Sequence, residues 1–162
     1  KYDSEVFINK LIKHEGLRLQ VYQDTLGIDT IGIGRNLEVR GITKEDRDWM
    51  DIPSMDAVYE YGISEADAMY IAQNDVPVVE EELLRSHPCV EDFDAVRQLV
   101  LVDLAFNLGV PRLCKFKKMW AALEAKDFPT AAKEMLDSRW ANQVKSRSTK
   151  LAHAMHYGEF NG

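Results

Sequence analysis

HEGLRLQVYQDTLGIDTIGIGRNL, residues 14–37, is the stretch that decides the fold, because the apolar pattern changes within it from helical to alternating. An amphipathic helix ends at Glu15, and the alternation that follows predicts a strand that runs into a turn at residues 24–27. Aspartate at the first turn position and glycine at the last are typical of tight turns. The chain then returns as a second strand that carries Thr30. Three oxygen-bearing side chains, Glu15, Asp24 and Thr30, could therefore face one cleft.

A glutamate at a helix end and an aspartate at a hairpin tip suit the cleavage of a glycosidic bond. This reaction needs one protonated carboxyl, which gives its proton to the leaving oxygen, and one ionised carboxylate, which directs a water or attacks the sugar. Different local environments separate the pKa values of two such groups. The alternative is structural, because helix-end glutamates are usually solvated, turn aspartates usually form the turn, and threonine is a common strand former.

Length and charge narrow the class of protein. The chain has 162 residues, 46% of them hydrophobic, which is enough for one core or for two small lobes. A net charge of −7 and a pI near 5.1 argue against a general nucleic-acid binder. Residues 110–162 carry ten lysines and arginines against five aspartates and glutamates, so the negative charge lies earlier in the chain. A basic C-terminal part would suit an anionic polymer, and ordinary variation between lobes explains it equally well.

Membrane and metal signals are weak. No apolar run reaches the length of a bilayer, and the amphipathic N-terminal stretch lacks the apolar segment of a secretory signal, so export would need another route. Cys89 and Cys114 are expected to be free thiols or packing residues, with a disulfide as the minority alternative. His153 and His156 share one predicted helix face without a third ligand, so we expect no metal site.

Helix starts and stops follow the hairpin. Residues 3–15 have helical periodicity, and residues 37–40 are a candidate third strand. Three further helices are predicted from their N-caps, at Thr43, Ser54 and Ser64. We expect them to end near residues 50, 61 and 86, with a kink at Pro77 in the last one.

The second half of the chain is predicted to be a helical lobe. Residues 91–108 are apolar on nearly every face, which indicates a buried central helix. Asp103 is unusual there, because a carboxylate on a buried helix needs a partner. Shorter helices are predicted at residues 113–124, 128–136, 138–142 and 147–157.

The opening stretch resembles the catalytic signature of the phage-type lysozymes, those of the T-even phages in particular. The signature reads Glu-Gly-Leu-Arg-Leu, Tyr-x-Asp-Thr and Thr-Ile-Gly-Ile-Gly, which stand here at residues 15–19, 22–25 and 30–34. Eight residues separate the glutamate from the aspartate and five separate the aspartate from the threonine, as in the family. SRWANQ at residues 138–143 resembles the family's Ser-Arg-Trp-x-Asn-Gln.

The resemblance implies a mainly helical α+β fold with two lobes and a cleft between them. One lysozyme domain, residues 1–162, is expected to hold a β-lobe with a hairpin or three-stranded sheet at about residues 14–64. A long helix at about residues 65–86 would connect it to a helical lobe formed by residues 87–162 together with 1–13.

The resemblance also implies roles. Glu15 would be the general acid, and Asp24 and Thr30 would hold the water that attacks the sugar from the opposite face, with inversion. Phe106 and Asn107 would line the cleft from the helical lobe. The alternative for these two is simple packing and capping at their helix end.

Four positions concern the surroundings of this site. Arg147 stands where the family has an arginine that pairs with the catalytic glutamate. Arg35 replaces the family's histidine after Gly-Ile-Gly, and we predict that it forms an ion pair with Asp75, less sensitive to pH because arginine stays charged. The residue before the glutamate is His14, not an acid. Asp29 adds a third carboxylate and should point away from the glutamate; an inward orientation would put the role of the hairpin-tip aspartate in doubt.

The combined prediction is a muramidase that cleaves the β-1,4 bond between N-acetylmuramic acid and N-acetylglucosamine of bacterial peptidoglycan, without metal or organic cofactor. We expect a monomer that neither binds nucleic acid nor inserts stably into membranes. It would reside in the host cytoplasm before release to the cell wall or periplasm, as a phage endolysin does, or belong to a virion tail. The alternatives are a non-catalytic peptidoglycan-binding or virion structural module, and a lytic transglycosylase, whose product is an anhydro sugar.

Overall fold

The computed structural model describes residues 9, 17–24, 27–38, 40–144 and 146–160. These residues form two compact units that divide between Val78 and Val79. The first unit holds a three-stranded antiparallel sheet and helices, and the second is helical. The predicted α+β, mainly helical class is thereby confirmed, whereas the lobe boundaries stay a prediction. Within the described ranges, no helix is both long and apolar enough to cross a membrane.

The sheet of the first unit forms from the alternating stretch. Its strands follow one another in space as in sequence: β1 (Arg18–Gln23), β2 (Asp29–Gly32) and β3 (Arg35–Asn36). The register of the first hairpin places Tyr22 opposite Thr30 and Gln23 opposite Asp29. Side chains that stand opposite one another share a face of the sheet, so Tyr22 and Thr30 lie on one face.

The third strand does not lie at residues 37–40, and that prediction was wrong. Gly34, with a φ of 91°, turns the chain directly after β2, so pairing resumes at once in β3. Asn36 then ends the strand, because its side-chain oxygen accepts from the amide of Glu38 at 2.8 Å and its carbonyl accepts from the amide of Gly41 at 3.2 Å. The glycine that closes the alternating pattern also starts the tight turn.

Three capped helices follow: α1 (Lys44–Met50), α2 (Met55–Tyr61) and α3 (Glu65–Ser86). The predicted N-caps are all present. Thr43 accepts from the amide of Asp46 at 3.1 Å while Asp46 accepts from the amide of Thr43, and Ser64 and Asp67 repeat this reciprocal pair. The Ser54 hydroxyl accepts from the third helical amide of α2 at 3.2 Å.

α2 lies unusually close to β1. The amide of Ile63 donates to the carbonyl of Leu19 at 2.8 Å, and a Cβ at Gly62 would lie 2.1 Å from that same oxygen. Gly62 also has a φ of 74°, so a glycine is required there on two counts. Behind this contact the first unit buries an apolar core formed by Ile31, Leu37, Ile42, Met50, Val58, Ile63, Ala68 and Ile71.

The second unit consists of helices, one of which is deeply buried. Its elements after α3 are a 3₁₀ helix (Pro88–Asp92), α4 (Ala95–Leu108), α5 (Val110–Leu113), α6 (Lys117–Glu124), α7 (Phe128–Leu136), α8 (Arg139–Val144) and α9 (Ser146–Tyr157). Val100, Leu101 and Leu104 of α4 are wholly buried, which confirms that this helix is buried, and its central place in the lobe stays a prediction.

The helix predicted from residue 113 begins only at the start of α6, so that boundary was wrong. Gly109, with a φ of 82°, and Pro111 in the first turn start the separate short helix α5. The helix predicted over residues 3–15 lies, apart from Asn9, outside the described residues. α3 continues through Pro77, and the kink there stays a prediction.

Candidate active site

Asp24 forms the hairpin tip with its backbone and with its side chain. Its carbonyl accepts from the amide of Gly27 at 3.0 Å, and its amide donates to the carbonyl of Ile28 at 3.0 Å. One carboxylate oxygen, Oδ1, accepts from the amide of Ile28 at 3.0 Å. Gly27 has a φ of 76°, so the predicted turn chemistry is present.

Thr30 binds the same peptide from the returning strand. Its hydroxyl donates to the carbonyl of Ile28 at 2.8 Å, and the residue is 4% exposed. The same carbonyl accepts from the amide of Asp24, so Asp24 and Thr30 are both hydrogen-bonded to Ile28. A threonine hydroxyl that donates one hydrogen bond keeps acceptor lone pairs, and a carboxylate can accept several hydrogen bonds.

Asp29 turns its carboxylate to α2. The hydroxyl of Tyr59 donates to Oδ2 of Asp29 at 2.9 Å. Successive strand residues point to opposite faces, so this contact lies on the face away from Thr30, as the alternation predicts. The hydrogen bond from Tyr59 to Asp29 raises the pKa of the Tyr59 phenol, with smaller contributions from desolvation and from the charges of Asp29 and Glu38.

The predicted Arg35–Asp75 ion pair is present, and it belongs to a larger buried network. Arg35 donates to both carboxylate oxygens of Asp75, at 2.9 and 2.7 Å, which is the bidentate geometry that favours arginine. Its third nitrogen donates to Asp46 at 3.0 Å and to the carbonyl of Gly41 at 3.0 Å. Arg40 also contacts Asp75. Sequence reasoning did not predict that Arg40 and Asp46 belong to this network.

The charges of this network compensate one another. Arg35, Asp46 and Asp75 are each at most 5% exposed. Burial raises the pKa of Asp46, but hydrogen bonds from Arg35 and Thr43 outweigh it, and the net pKa is lowered. Burial raises the pKa of Asp75 above its usual value, and Arg35 and Arg40 oppose that rise only in part. With two cations beside it, we take the Asp75 carboxylate to be ionised at neutral pH.

Asp103, the unusual carboxylate of α4, has its partner in the second unit. Arg147 of α9 forms an ion pair with it, and the exposed fractions of the two side chains are 11% for Arg147 and 2% for Asp103. A buried carboxylate on an apolar helix was a sufficient signal that a cation must lie nearby. The sequence did not say which cation.

The remaining predicted site residues are only partly described. Glu15 lies outside the described residues, as does the side chain of Asn107. Phe106 is half-buried near the end of α4. In the described part of the chain, no group of three or more histidine, cysteine, aspartate or glutamate side chains is arranged to hold a metal ion. The roles assigned to Glu15, Phe106 and Asn107 stay predictions.

Comparison with known proteins gives one family. The sequence model described as phage lysozyme matches residues 12–153. A "Probable T4-type lysozyme 1" of Dictyostelium discoideum is 28% identical over 167 residues, which cover 95% of this chain and 96% of that protein. "Probable T4-type lysozyme 2" of the same organism is 26% identical, with 89% of each chain covered. The "Pre-baseplate central spike protein Gp5" of Enterobacteria phage T4 is 31% identical over 87% of this chain and 26% of its own length.

Proposed function

The chain belongs to the phage lysozyme family, and from this premise we propose that it hydrolyses bacterial peptidoglycan at the β-1,4 bond between N-acetylmuramic acid and N-acetylglucosamine. The observation that carries the proposal is that Asp24 and Thr30 both form side-chain hydrogen bonds to Ile28. These bonds support the proposal that the two residues hold one water, which an inverting glycosidase needs on the face of the sugar opposite the leaving group.

In the proposed mechanism Glu15 gives a proton to the glycosidic oxygen as the bond breaks. Asp24 accepts one hydrogen of the attacking water through its carboxylate, and Thr30 accepts the other through its hydroxyl oxygen. The water's remaining lone pair is then directed at the anomeric carbon, and Asp24 takes up the proton that the water loses. The sugar configuration inverts, because the water attacks opposite the leaving group.

The first test is the clearing of outer-membrane-stripped Gram-negative cells by the wild type and by Glu15→Gln. We expect clearing by the wild type and a loss of at least about a hundredfold in the variant, since general acid catalysis contributes roughly 10²–10⁴ in rate. Circular dichroism must show that both proteins are folded. Equal clearing by the two proteins would remove Glu15 from the mechanism.

Two matched variants test the water-holding pair. Thr30→Val keeps the shape of the side chain and removes the hydroxyl, whereas Thr30→Ser keeps the hydroxyl. We expect Thr30→Val to be inactive and Thr30→Ser to retain activity. The anomer of the first product, observed by NMR, should be inverted. An anhydro sugar in place of a reducing end would instead identify a lytic transglycosylase.

The similarity to a phage spike protein favours one further candidate for the setting of this activity. The chain matches only a part of that protein, 26% of its length. A virion-associated lysozyme is therefore proposed beside a free endolysin. Mass spectrometry of purified virions would detect this chain in the first case and not in the second. A folded, inactive protein that is pulled down by purified peptidoglycan would support a binding module in place of an enzyme.

A further inference from the structure

α2 is fastened to the first hairpin at two places. At its C-terminal end, the amide of Ile63 bonds to the carbonyl of Leu19 in β1, and Gly62 permits the close approach. Within the helix, the hydroxyl of Tyr59 reaches across to Asp29 in β2. The first contact holds one strand and the second holds the other, so α2 braces both strands of the hairpin.

Asp29 is a close neighbour of both residues of the proposed water-holding pair, Asp24 and Thr30. It directly precedes Thr30 in β2, and it stands opposite Gln23, the residue before Asp24. A shift of Asp29 along or away from the sheet therefore moves both ends of the pair.

The backbone of Asp29 is also held on the side of β3. Its carbonyl accepts from the amide of Leu37 at 2.8 Å, and its amide donates to the carboxylate of Glu38 at 2.9 Å. The Asp29 carboxylate takes no part in these backbone bonds, so it accepts from Tyr59 of α2 without disturbing them.

We propose that Tyr59 is a positioning residue of this enzyme, which acts through Asp29 to set the separation of Asp24 and Thr30. The inference rests on the proposed function. Tyr59 does not touch the reacting atoms in this scheme. It ties the strand that carries Thr30 to a helix of the core, on the face of the sheet opposite the hydroxyl.

Physical reasons favour a brace at this point. A two-stranded hairpin is marginally stable by itself, and β3 adds only two residues. A hydroxyl that donates to a carboxylate forms a charge-assisted bond, stronger than one between neutral groups. A tyrosine phenol is protonated, and so is a donor, through neutral and mildly alkaline pH, and the hydrogen bond to Asp29 raises the pKa of Tyr59 further. Misplacement of catalytic groups by about 1 Å is able to cost about a hundredfold in rate, so a modest loosening of the hairpin is measurable.

The test compares Tyr59→Phe with Tyr61→Phe on soluble peptidoglycan fragments. Both variants lose one hydroxyl from the same helix, and both side chains are exposed, Tyr59 by 45% and Tyr61 by 73%. For Tyr59→Phe we expect kcat to fall about five- to twentyfold with KM and Tm nearly unchanged, within the range that misplacement permits. Tyr61→Phe should leave kcat, KM and Tm as in the wild type. An unchanged kcat in Tyr59→Phe would overturn the proposal.

Asp29→Asn separates positioning from chemistry. The asparagine oxygen still accepts from Tyr59, so a weaker hydrogen bond between neutral groups keeps the brace in place while the charge is lost. We expect kcat to stay within about twofold of the wild type, since the acceptor is kept. A loss as large as that of Asp24→Asn would overturn the proposal and make Asp29 the carboxylate that holds the water. In the double variant Tyr59→Phe/Asp29→Ala the loss should not exceed that of Asp29→Ala alone, because the two residues act as a unit.

Two readouts do not depend on activity and so keep this inference distinct from the proposed function. Ultraviolet titration of the phenols should show one group with a raised pKa that is absent in Tyr59→Phe and lowered in Asp29→Asn. Hydrogen exchange of the Ile28 amide, which is bonded to Asp24, should be faster in Tyr59→Phe than in Tyr61→Phe. An inactive wild type with both signatures present would refute the hydrolase and keep the brace. An active wild type with neither signature would refute the brace alone.

Discussion

Removal of the buried carboxylate of Asp103 is predicted to destabilise the second unit more than any single surface change. Asp103→Asn keeps the size of the side chain and removes its charge. Arg147, whose side chain is 11% exposed in the wild type, then loses the counter-charge of Asp103. The breaking of a buried ion pair from one side costs about 3–5 kcal/mol, because an uncompensated charge is left inside. Asparagine keeps one acceptor, so we expect a value of about 3 kcal/mol for this variant.

The same estimate converts into a melting temperature. In domains of roughly this size, 1 kcal/mol corresponds to about 2–4 °C, so Asp103→Asn should melt about 6–12 °C below the wild type. Arg147→Met alone should cost a comparable amount, since it leaves the carboxylate buried without its cation. The double variant should cost much less than the sum, with a coupling of about 2–3 kcal/mol.

Urea unfolding followed by near-ultraviolet circular dichroism, for the wild type and the three variants, measures this coupling. The cycle tests the pair itself, because any other contact of Arg147 is lost equally in the single and the double variant. A cost below about 1 kcal/mol for Asp103→Asn, or strictly additive single variants, would refute the reasoning, since exposed pairs contribute that little.

Three further predictions concern the first unit. Arg35→His should make stability depend on pH, because pairing with Asp75 raises the pKa of the histidine in the folded protein. The stabilisation by this pair is then complete below about pH 6.5 and is lost as the pH rises through the raised pKa, which thermal melts from pH 5 to 9 would show. Asp46 has a lowered pKa in the folded protein, so its stabilising contribution is present above about pH 4 and disappears as the pH falls through the folded value; Asp46→Asn should flatten the acid limb of the melting curve. Gly62→Ala should cost about 2–5 kcal/mol in urea unfolding, from backbone strain and a clash with a strand carbonyl, whereas Gly27→Ala, with open space around its Cβ, should cost only about 1–2 kcal/mol.

The local elements were predictable where a few neighbouring residues decide them. The capping box of Thr43 and Asp46, and the turn in which Asp24 and Gly27 bond, lie within four residues of chain. Such contacts form whatever the rest of the chain does, so residue type and spacing suffice. The third strand was misplaced because Gly34 fits both the end of a strand and the start of a tight turn, and only the pairing of β2 with β3 selects between them.

In the candidate site, too, the contacts between nearby residues were predictable from the sequence, and those between distant residues were not. The hairpin that brings Asp24 and Thr30 together could be read from alternation and turn residues. The Arg35–Asp75 pair, 40 residues apart, was predicted only because the chain resembles a known family. Nothing in residue spacing indicates that Tyr59 bonds to Asp29.

The sequence by itself determined the family, the mainly helical α+β class, the helix caps and the hairpin that carries two of the proposed catalytic residues. Tertiary structure alone decided which charges meet inside the protein: Asp103 with Arg147, and Asp46 with Arg35. The physical reason is the distance along the chain over which the deciding interactions act. Caps and turns are settled by short-range sterics and hydrogen bonds, whereas the partner of a buried charge is settled by which distant helix packs against it, and desolvation then requires that some partner be present.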